Sequence, residues 1–237
     1  MKQTLHVIMN HQQLAPGLLP GKVAVVLDVL FATTTIAMAM HQGVTEVITV
    51  PEVDDALAYR KADTVLAGEK DAVTPEGFES FAPIELCACG LGGKRLVLVT
   101  TNGTVALHNA LGASHVYTAA LVNAQAVVDH LLANHPCETI LLVCAASKHR
   151  FAMEDFVGAG HLVQMLRMHA PERFALTDSA LTAATLAATT DPLQVLCESR
   201  VGRLVESLKL GNNTGLAAEL NRFPVVPGMR DGRLVAL

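Results

Sequence analysis

Residues 23–36, VAVVLDVLFATTTI, place one acid, Asp28, at the end of an apolar run and a row of threonines directly after it. A buried carboxylate is costly unless it is paired, hydrogen-bonded or bound to a metal. Further acids occupy comparable positions: Glu69 follows a short predicted strand, and Glu154 and Asp155 follow a longer one across a loop. Acids from three strand ends can converge on a hard cation such as Mg²⁺, which prefers oxygen ligands. For Glu154 and Asp155 the alternative is ordinary charge in a first helical turn, which the helix dipole favours.

Two threonine-rich loops follow predicted strands, ATTT at residues 32–35 and TTNGT at residues 100–104. Each precedes a predicted helix, so the threonines are candidates for capping its first backbone N–H groups. The alternative is anion binding, because free N–H groups at a helix N-terminus flanked by hydroxyls suit a phosphate. Glycine in the second loop permits a close backbone approach or a positive φ. The candidate phosphate ligands are Thr33, Thr34, Thr101, Asn102, Gly103 and Thr104.

The elements that must position these loops are predicted strands that alternate with predicted helices. The strands cover residues 23–27, 46–50, 64–66, 95–100, 115–118, 139–143 and 174–176. The helices cover residues 34–41, 53–60, 104–111, 124–134, 154–168, 178–189 and 198–208. Near-continuous apolar strands between helices predict an α/β protein, a three-layer α/β/α fold with a parallel or mixed sheet. The tail FPVVPGMRDGRLVAL is interpreted as one or two edge strands around a turn at residues 230–232.

A weak internal echo relates residues 20–60 to residues 92–130. At an offset of 69 residues, Thr35, Ala37, Gly43, Val47 and Thr49 recur as Thr104, Ala106, Gly112, Val116 and Thr118. Either a duplication or the pattern common to α/β proteins explains the echo. Two such units side by side would bring both loops to one edge of the sheet, where open α/β folds bind ligands. Because no linker-like stretch divides the chain, residues 1–237 are predicted to form a single domain.

The composition narrows the classes of function. The chain has 237 residues, is 51% hydrophobic and carries a formal net charge of −5, which argues against general nucleic-acid binding. The N-terminal MKQTLHVIMNHQQ has no long apolar region, and no run reaches the roughly 18 apolar residues of a membrane helix. Five cysteines at irregular spacing predict reduced thiols. We therefore expect a cytoplasmic protein without a membrane or nucleic-acid partner, and the sequence leaves monomer and homodimer open.

Three other chemistries of phosphates and esters are not indicated. In haloacid-dehalogenase-type phosphatases a second Asp lies two residues after the nucleophile, and here that position is Leu30. The chain also lacks a Gly-x-x-x-x-Gly-Lys-Ser/Thr phosphate loop and a Gly-x-Ser-x-Gly nucleophile elbow. A P-loop ATPase and a serine hydrolase are therefore not predicted.

A series of short segments resembles the 2-phosphosulfolactate phosphatase family, in the family's order from about residue 23 to residue 227. The segments are DVL and ATTTI within 28–36, AGEK at 67–70, GF at 77–78, PIE at 83–85, TTNGT at 100–104, NA at 123–124, CA at 144–145, Phe151 with ED at 154–155, AG at 159–160 and GRL at 202–204. The resemblance implies an α/β/α enzyme that uses Mg²⁺ to hydrolyse the phosphate ester of 2-phospho-3-sulfolactate, a step on the route to coenzyme M.

The chain departs from the family pattern beside the loops proposed to bind an anion. Phe31 stands where Arg is usual, Val105 stands where a basic residue is common, and SFA at 80–82 replaces Gly-Asn-Ser. Ala146 and His149 replace glycines. Polar and cationic groups have thus been exchanged for apolar ones, although a substrate with phosphate, sulfonate and carboxylate groups favours Arg as its partner.

Two hypotheses follow. In the first, the chain is a Mg²⁺-dependent phosphomonoesterase of a small anionic substrate, 2-phospho-3-sulfolactate or a related 2-phospho acid. The metal ligands are then Asp28, Glu69 and Asp155, the catalytic candidates are Asp28, Asp155 and Glu154, and the candidates for binding substrate anions are Lys70, Arg150 and Arg203. In the second, the chain is a catalytically impaired relative that binds an anion or acts in assembly.

Overall fold

The computed structural model describes residues 2–237, which form a ten-stranded sheet with helices on both faces. The strands are β1 (Gln3–Ile8), β2 (Val23–Leu27), β3 (Glu46–Val50), β4 (Thr64–Gly68), β5 (Arg95–Val99), β6 (His115–Ala119), β7 (Ile140–Cys144), β8 (Phe174–Leu176), β9 (Pro227–Arg230) and β10 (Arg233–Ala236). The helices are α1 (Ala32–His41), α2 (Val53–Leu57), α3 (Pro83–Cys87), α4 (Gly103–Ala110), α5 (Ala124–Asn134), α6 (Met153–His169), α7 (Asp178–Thr189), α8 (Pro192–Glu198), α9 (Arg200–Ser207) and α10 (Gly211–Ala218). The predicted three-layer α/β/α class with a mixed sheet is confirmed.

The sheet consists of two parallel groups joined by an antiparallel hairpin, in the order β4-β5-β3-β10-β9-β6-β2-β7-β1-β8. The hairpin β9–β10 pairs on both sides, Leu234 with Val47 of β3 and Gly228 with Tyr117 of β6. The expectation that the tail forms edge strands is therefore wrong, because the tail lies in the middle of the sheet. Three antiparallel steps separate β3 from β6, so the two parallel groups run in opposite directions.

Further elements differ from the predictions, and the short helices α3, α8 and α10 were not predicted. Strand β1 was not predicted, because Thr4 and His6 interrupt its apolar residues; Gln3 at its start is buried, and the Gln3 amide donates 3.0 Å to the carbonyl of His135. The helix predicted over residues 198–208 corresponds to α9, which begins after Ser199, whereas Glu198 ends α8. Ser199 has an extended backbone, φ −62° and ψ 159°, and its hydroxyl accepts 2.8 Å from the N–H of Gly202, which caps α9.

The two units of the sequence echo are β2-α1-β3 and β5-α4-β6, and each crosses from one parallel group to the other. The first turns of α1 and α4 are in contact: a Cβ placed on Gly103 would lie 2.5 Å from the Cβ of Ala32. Beneath them, buried side chains of both helices and of β2, β3 and β5 form one apolar core. This contact brings the two threonine-rich loops together. Within residues 2–237, no helix combines the length and the apolar character needed to span a bilayer.

Candidate active site

A cavity of about 230 Å³ lies where the loops after β2, β4, β5 and β7 meet α9. Its acidic lining residues are Asp28, Glu69, Asp71, Glu154 and Asp155. Its other polar lining residues are Thr100, Thr101, Asn102, Ser147 and Lys148. Its large apolar lining residues, called here the apolar wall, are Leu30, Phe31, Phe81, Val201, Leu204, Val205 and Leu208. The chain thus brings together all four acids that the sequence singled out.

Asp28 sits directly after β2 at the centre of this arrangement and is only 9% exposed. Its backbone is fixed by Thr33, whose hydroxyl accepts 3.0 Å from the Asp28 N–H and donates 2.9 Å to the Asp28 carbonyl. Burial raises the pKa of Asp28 to about 7, and the charges of Glu69 and Glu154 add to the rise. The backbone N–H groups of Ala32 and Gly103 oppose it. Since these N–H groups begin α1 and α4, the Asp28 carboxylate faces the N-termini of both helices.

Glu69 is held against the loop after β5 by its backbone and by its side chain. The preceding Gly68 has φ +144°, and a Cβ there would lie 1.9 Å from the Val99 carbonyl oxygen, so only glycine permits this approach. The Glu69 N–H donates 2.9 Å to that same carbonyl. The Glu69 carboxylate accepts 2.6 Å from the N–H and 2.7 Å from the hydroxyl of Thr101, and 2.7 Å from the N–H of Ala72.

Glu154 and Asp155 are buried in the first turn of α6, where the helix dipole favours acids. Asp155 accepts 2.9 Å from the N–H of Val29 on one oxygen and 3.1 Å from the N–H of Ala146 on the other. It therefore ties the loop after β2 to the loop after β7. Burial raises the pKa of Glu154, and burial together with the charges of Asp28 and Glu154 raises the pKa of Asp155 well above its ordinary value.

The fit of this cluster to a divalent cation follows from its charge and its spacing. Burial and like charge raise the pKa values of Asp28 and Asp155, and a bound cation would oppose that rise. The set Asp28, Glu69 and Asp155 is open rather than compact. Among residues 2–237, the one group of three or more His, Cys, Asp or Glu residues whose ligand atoms all lie within 4.8 Å of one another is His115, His135 and Glu138, which do not line the cavity. An ion that keeps several of its waters, as Mg²⁺ does, suits the open set.

The threonine hydroxyls of the first loop bind backbone rather than facing the cavity. Besides the Thr33 contacts, Thr34 donates 2.9 Å to the carbonyl of Val29, and both side chains are fully buried. Thr104 behaves in the same way in the second loop, donating 2.9 Å to the carbonyl of Thr100. Of the candidate phosphate ligands, Thr101 and Asn102 line the cavity. Gly103 contacts Asp28 instead, since a Cβ on it would lie 2.5 Å from Asp28 Oδ2. A phosphate-binding role for the buried hydroxyls stays a prediction that their geometry does not favour.

The three predicted anion-binding cations do not line the cavity. Lys70 is paired with Glu52 at 2.9 Å, and Arg150 and Arg203 are exposed. Lys148 takes their place among residues 2–237 as the one cationic side chain in the lining, with Nζ 2.7 Å from Asp71. The basic run KHR at residues 148–150 signalled it in the sequence.

A functional candidate that sequence reasoning missed is Arg200. It donates 3.2 Å to the carbonyl of Ser147, a cavity residue, and its positive charge lies near Glu154. Nothing in its sequence neighbourhood distinguished it from Arg203, one helical turn later.

Two departures from the family pattern lie in the loop after β7, at positions whose backbone conformation favours glycine. Ala146 and His149, which stand in place of glycines, have φ of +62° and +65°, and Lys148 has φ of +48°. A left-handed conformation costs a residue with a Cβ roughly 1–2 kcal/mol. These residues therefore adopt a backbone conformation that glycine would adopt at lower cost. The loop lies against the second threonine-rich loop, where the Lys148 N–H donates 2.9 Å to the side-chain oxygen of Asn102.

Comparisons with known proteins agree with this architecture. The sequence model of the family described as "2-phosphosulpholactate phosphatase" matches residues 9–232. A Deinococcus radiodurans protein named "Probable 2-phosphosulfolactate phosphatase" is 37% identical over 215 residues, which cover 89% of this chain and 88% of that protein. A Carboxydothermus hydrogenoformans protein of the same name is 34% identical over 219 residues, 90% of each chain. A third, from Clostridium botulinum, is 30% identical over 237 residues, 98% of each chain.

Proposed function

The chain belongs to the 2-phosphosulfolactate phosphatase family, and on that premise we propose that it is a Mg²⁺-dependent phosphatase of a small anionic phosphomonoester. This substrate class includes 2-phospho-3-sulfolactate and related 2-phospho acids. The observation that carries the proposal is the convergence of four buried carboxylates, from three separate segments of the chain, on one cavity. Such burial is costly unless a cation compensates the charge.

Asp28, Glu69 and Asp155 would hold the metal, with Glu154 beside them. Glu69 and Asp155 already accept hydrogen bonds on both carboxylate oxygens, which fixes their orientation and favours contact to the ion through water. Asp28 is oriented in a comparable way, because the backbone N–H groups of Ala32 and Gly103 face its carboxylate. When bound, Mg²⁺ supplies polarisation of a phosphoryl oxygen and orientation of a water.

Other residues around the cavity have three further roles in this proposal. Lys148 can bind a phosphoryl oxygen, since it lines the cavity and its partner Asp71 is an exposed group that a phosphate can replace. Glu154, whose pKa burial raises, is suited to accept the proton from the attacking water. Phe31 and Leu30 exclude bulk water from one side of the carboxylates, which strengthens electrostatic interactions inside the cavity.

The test is release of inorganic phosphate by the full chain from 2-phospho-3-sulfolactate, 2-phosphoglycolate and p-nitrophenyl phosphate, with Mg²⁺ and with EDTA. We expect release that requires Mg²⁺ and that Asp28→Asn lowers by about 10²- to 10³-fold, the scale for removing one key electrostatic group. Asp178→Asn, an exposed acid at the start of α7, is the matched control and should leave the rate unchanged. If Asp28→Asn retained both Mg²⁺ affinity and turnover, the metal-site proposal would be wrong.

The alternative is a relative that keeps the fold and binds an anion without turnover. The observation that favours it is the single cationic side chain in the cavity lining among residues 2–237. Absence of release from every ester, with phosphate binding measured by calorimetry, is the result that this alternative expects.

A further inference from the structure

A second cluster of metal-ligating side chains lies away from the cavity, where β6 and β7 begin. It consists of His115 at the start of β6, His135 after α5 and Glu138 before β7, and one ligand atom from each lies within 4.8 Å of the other two. None of the three residues lines the cavity. We propose that this cluster, called here the histidine site, binds a divalent transition-metal ion, with Zn²⁺ as the first candidate.

The sheet topology separates this site from the carboxylate cluster. Strands β6 and β7 both pair in parallel with β2, and His115 and Ile140 lie opposite Val23. The three strands therefore begin at one end of the sheet layer. Asp28 follows the other end of the five-residue strand β2, about 16 Å away along the strand. An ion at the histidine site thus has ligands of its own and does not belong to the cavity.

The spacing between His135 and Glu138 suits a shared ion better than a direct hydrogen bond. His135 Nδ1 lies 3.4 Å from Glu138 Oε1, whereas a charge-assisted hydrogen bond has a length of about 2.7–2.9 Å. Two ligand atoms of a tetrahedral zinc ion, each about 2.0–2.2 Å from the metal, lie roughly 3.4 Å apart. The other carboxylate oxygen of Glu138 accepts 3.2 Å from the N–H of Cys137, which leaves Oε1 for the ion.

The other ring nitrogen of His135 has a partner that orients the imidazole. His135 Nε2 lies 2.8 Å from the hydroxyl of Tyr117, and that hydroxyl lies 3.2 Å from Nε2 of His130. In the tautomer in which His135 Nε2–H donates to Tyr117 and Tyr117 donates to His130, Nδ1 of His135 carries no proton and can bind a metal. Support of this kind on the second ring nitrogen is usual for a metal-bound histidine.

The backbone that carries two of the ligands is fixed by buried polar groups. Gln3 is 5% exposed, and its amide donates to the carbonyls of both His135 and Glu138. Arg173 donates 2.7 Å from Nε to Gln3 Oε1 and also donates to the carbonyl of His135. His135 and Glu138 are therefore held in place, whereas the exposed ring of His115 can rotate onto an ion. Ligands that are fixed in advance lower the entropic cost of binding.

The donor atoms decide which class of ion fits. Two imidazoles and one carboxylate are a known set of three protein ligands for zinc, with water in the fourth position. Imidazole suits Zn²⁺, Ni²⁺ and Cu²⁺, whereas Mg²⁺ prefers oxygen ligands. The two sites therefore select different ions, a hard cation at the carboxylates and a softer one at the histidine site.

The experiment is calorimetric titration of Zn²⁺ into the full chain in excess Mg²⁺, which competes for the carboxylate cluster. We expect one Zn²⁺ to bind per chain. His115→Ala and Glu138→Gln should each lower the Zn²⁺ affinity by about 10²-fold or more, because loss of an outer partner alone costs about 10- to 100-fold. The matched control is His169→Ala, an exposed histidine at the end of α6, which should keep the wild-type affinity. Absence of Zn²⁺ binding by the wild type, or wild-type affinity in both ligand variants, overturns the inference.

Tyr117→Phe tests the orientation of His135. The substitution removes the hydroxyl beside His135 Nε2 and keeps the aromatic ring. We expect the Zn²⁺ affinity to fall by about tenfold or more. The rise in Tm that Zn²⁺ produces should become smaller as well, because that rise depends on the affinity of the folded chain for the ion. A lower Tm without metal but an unchanged Zn²⁺ affinity would contradict the positioning of His135 by Tyr117.

Two further variants exclude other places for the ion. Asp28→Asn should keep the Zn²⁺ affinity measured in excess Mg²⁺, and so should Cys137→Ser, which removes the exposed thiol next to Glu138. If either variant abolishes Zn²⁺ binding while His115→Ala keeps it, the ion binds the cavity or a thiol and the inference is overturned. Because these measurements follow Zn²⁺ binding rather than phosphate release, their result is independent of the proposed phosphatase function.

Discussion

The first threonine loop (residues 32–35) is closed, whereas the second (residues 100–104) opens onto the cavity, although both follow a strand and start a helix. In the first, Thr33, Thr34 and Thr35 all donate their hydroxyls to backbone carbonyls. In the second, Thr104 does the same, but Thr101 binds the Glu69 carboxylate and lines the cavity. The two loops share residue types but not roles.

Carboxylates of the chain itself cover the N-termini of both helices, and the second loop also contacts Glu69. The Asp28 carboxylate faces the first N–H groups of both α1 and α4, so an acid of the chain itself occupies the place where an external anion was expected. Glu69 accepts the Thr101 N–H in the same manner. Hydroxyls and N–H groups that suit a phosphate also suit a carboxylate, and here the carboxylates are built in.

The strongest way to break the contact between the loops is Gly103→Ala. Its Cβ would lie 2.5 Å from Asp28 Oδ2 and 2.5 Å from the Cβ of Ala32, so α4 or Asp28 must shift. A displacement of this kind at a catalytic group can cost about 10²-fold in rate. We expect kcat/KM for phosphate release to fall by that order. Gly215→Ala on α10 is the control, because a Cβ there meets nothing within 4 Å. Equal activity of both variants would contradict the coupling of the two loops.

Thr101→Val tests the open loop. The substitution removes the hydroxyl that donates 2.7 Å to Glu69 and that accepts 2.8 Å from the Asp71 N–H. Loss of a hydrogen bond to a charged group is worth about 1.5–3 kcal/mol. We therefore expect kcat/KM to fall by roughly tenfold, with weaker Mg²⁺ affinity by titration calorimetry. A loss of stability with unchanged Mg²⁺ affinity would assign Thr101 to the fold alone.

Thr34→Val tests the closed loop with the same chemical change. The Val29 carbonyl would lose its 2.9 Å donor in a fully buried place, which costs about 1–3 kcal/mol. We expect the free energy of unfolding in urea to fall by that amount, while kcat/KM per folded molecule stays within about twofold, because only a structural hydrogen bond is removed. If Thr34→Val lowered kcat/KM more than Thr101→Val does, the first loop rather than the second would be the one that matters for activity.

The smallest effect is a pH dependence of stability. Because burial raises the pKa of Asp28 to about 7 and also raises those of Glu154 and Asp155, the folded protein binds more protons than the unfolded chain above the ordinary Asp and Glu pKa values. Stability must then fall as the pH rises through that range toward the folded pKa values. We expect Tm in EDTA to be lower at about pH 8 than at about pH 5, and Mg²⁺ to raise Tm more at the higher pH. A Tm in EDTA that increases with pH would contradict the raised pKa values of these buried carboxyl groups.

The fold class and the acids of the site could be predicted from local pattern. Strand β2 is a continuous apolar run, which is typical of a strand buried on both faces, and Asp28 directly after it had to lie at a strand end. The convergence of these acids did not follow from the alternation of strands and helices, because the groups that contain β2 and β4 run in opposite directions and the contact between α1 and α4 joins their loops. The central place of β9–β10 could not be predicted, because a short hairpin with edge-like composition pairs wherever two strands leave their sides open.

The sequence by itself determined the family, the α/β architecture and which acids follow apolar segments, since these depend on the order of apolar segments and on the residues at their ends. Tertiary structure decided what each polar group does. Thr34 and Thr101 have the same side chain, yet one is buried against a carbonyl and the other borders the cavity. Lys148 rather than Arg203 lines the cavity because the loop after β7 folds toward it, whereas Arg203 lies on an exposed part of α9. Residue type fixes which contacts a group can make, and the packing of neighbouring elements selects the one that forms.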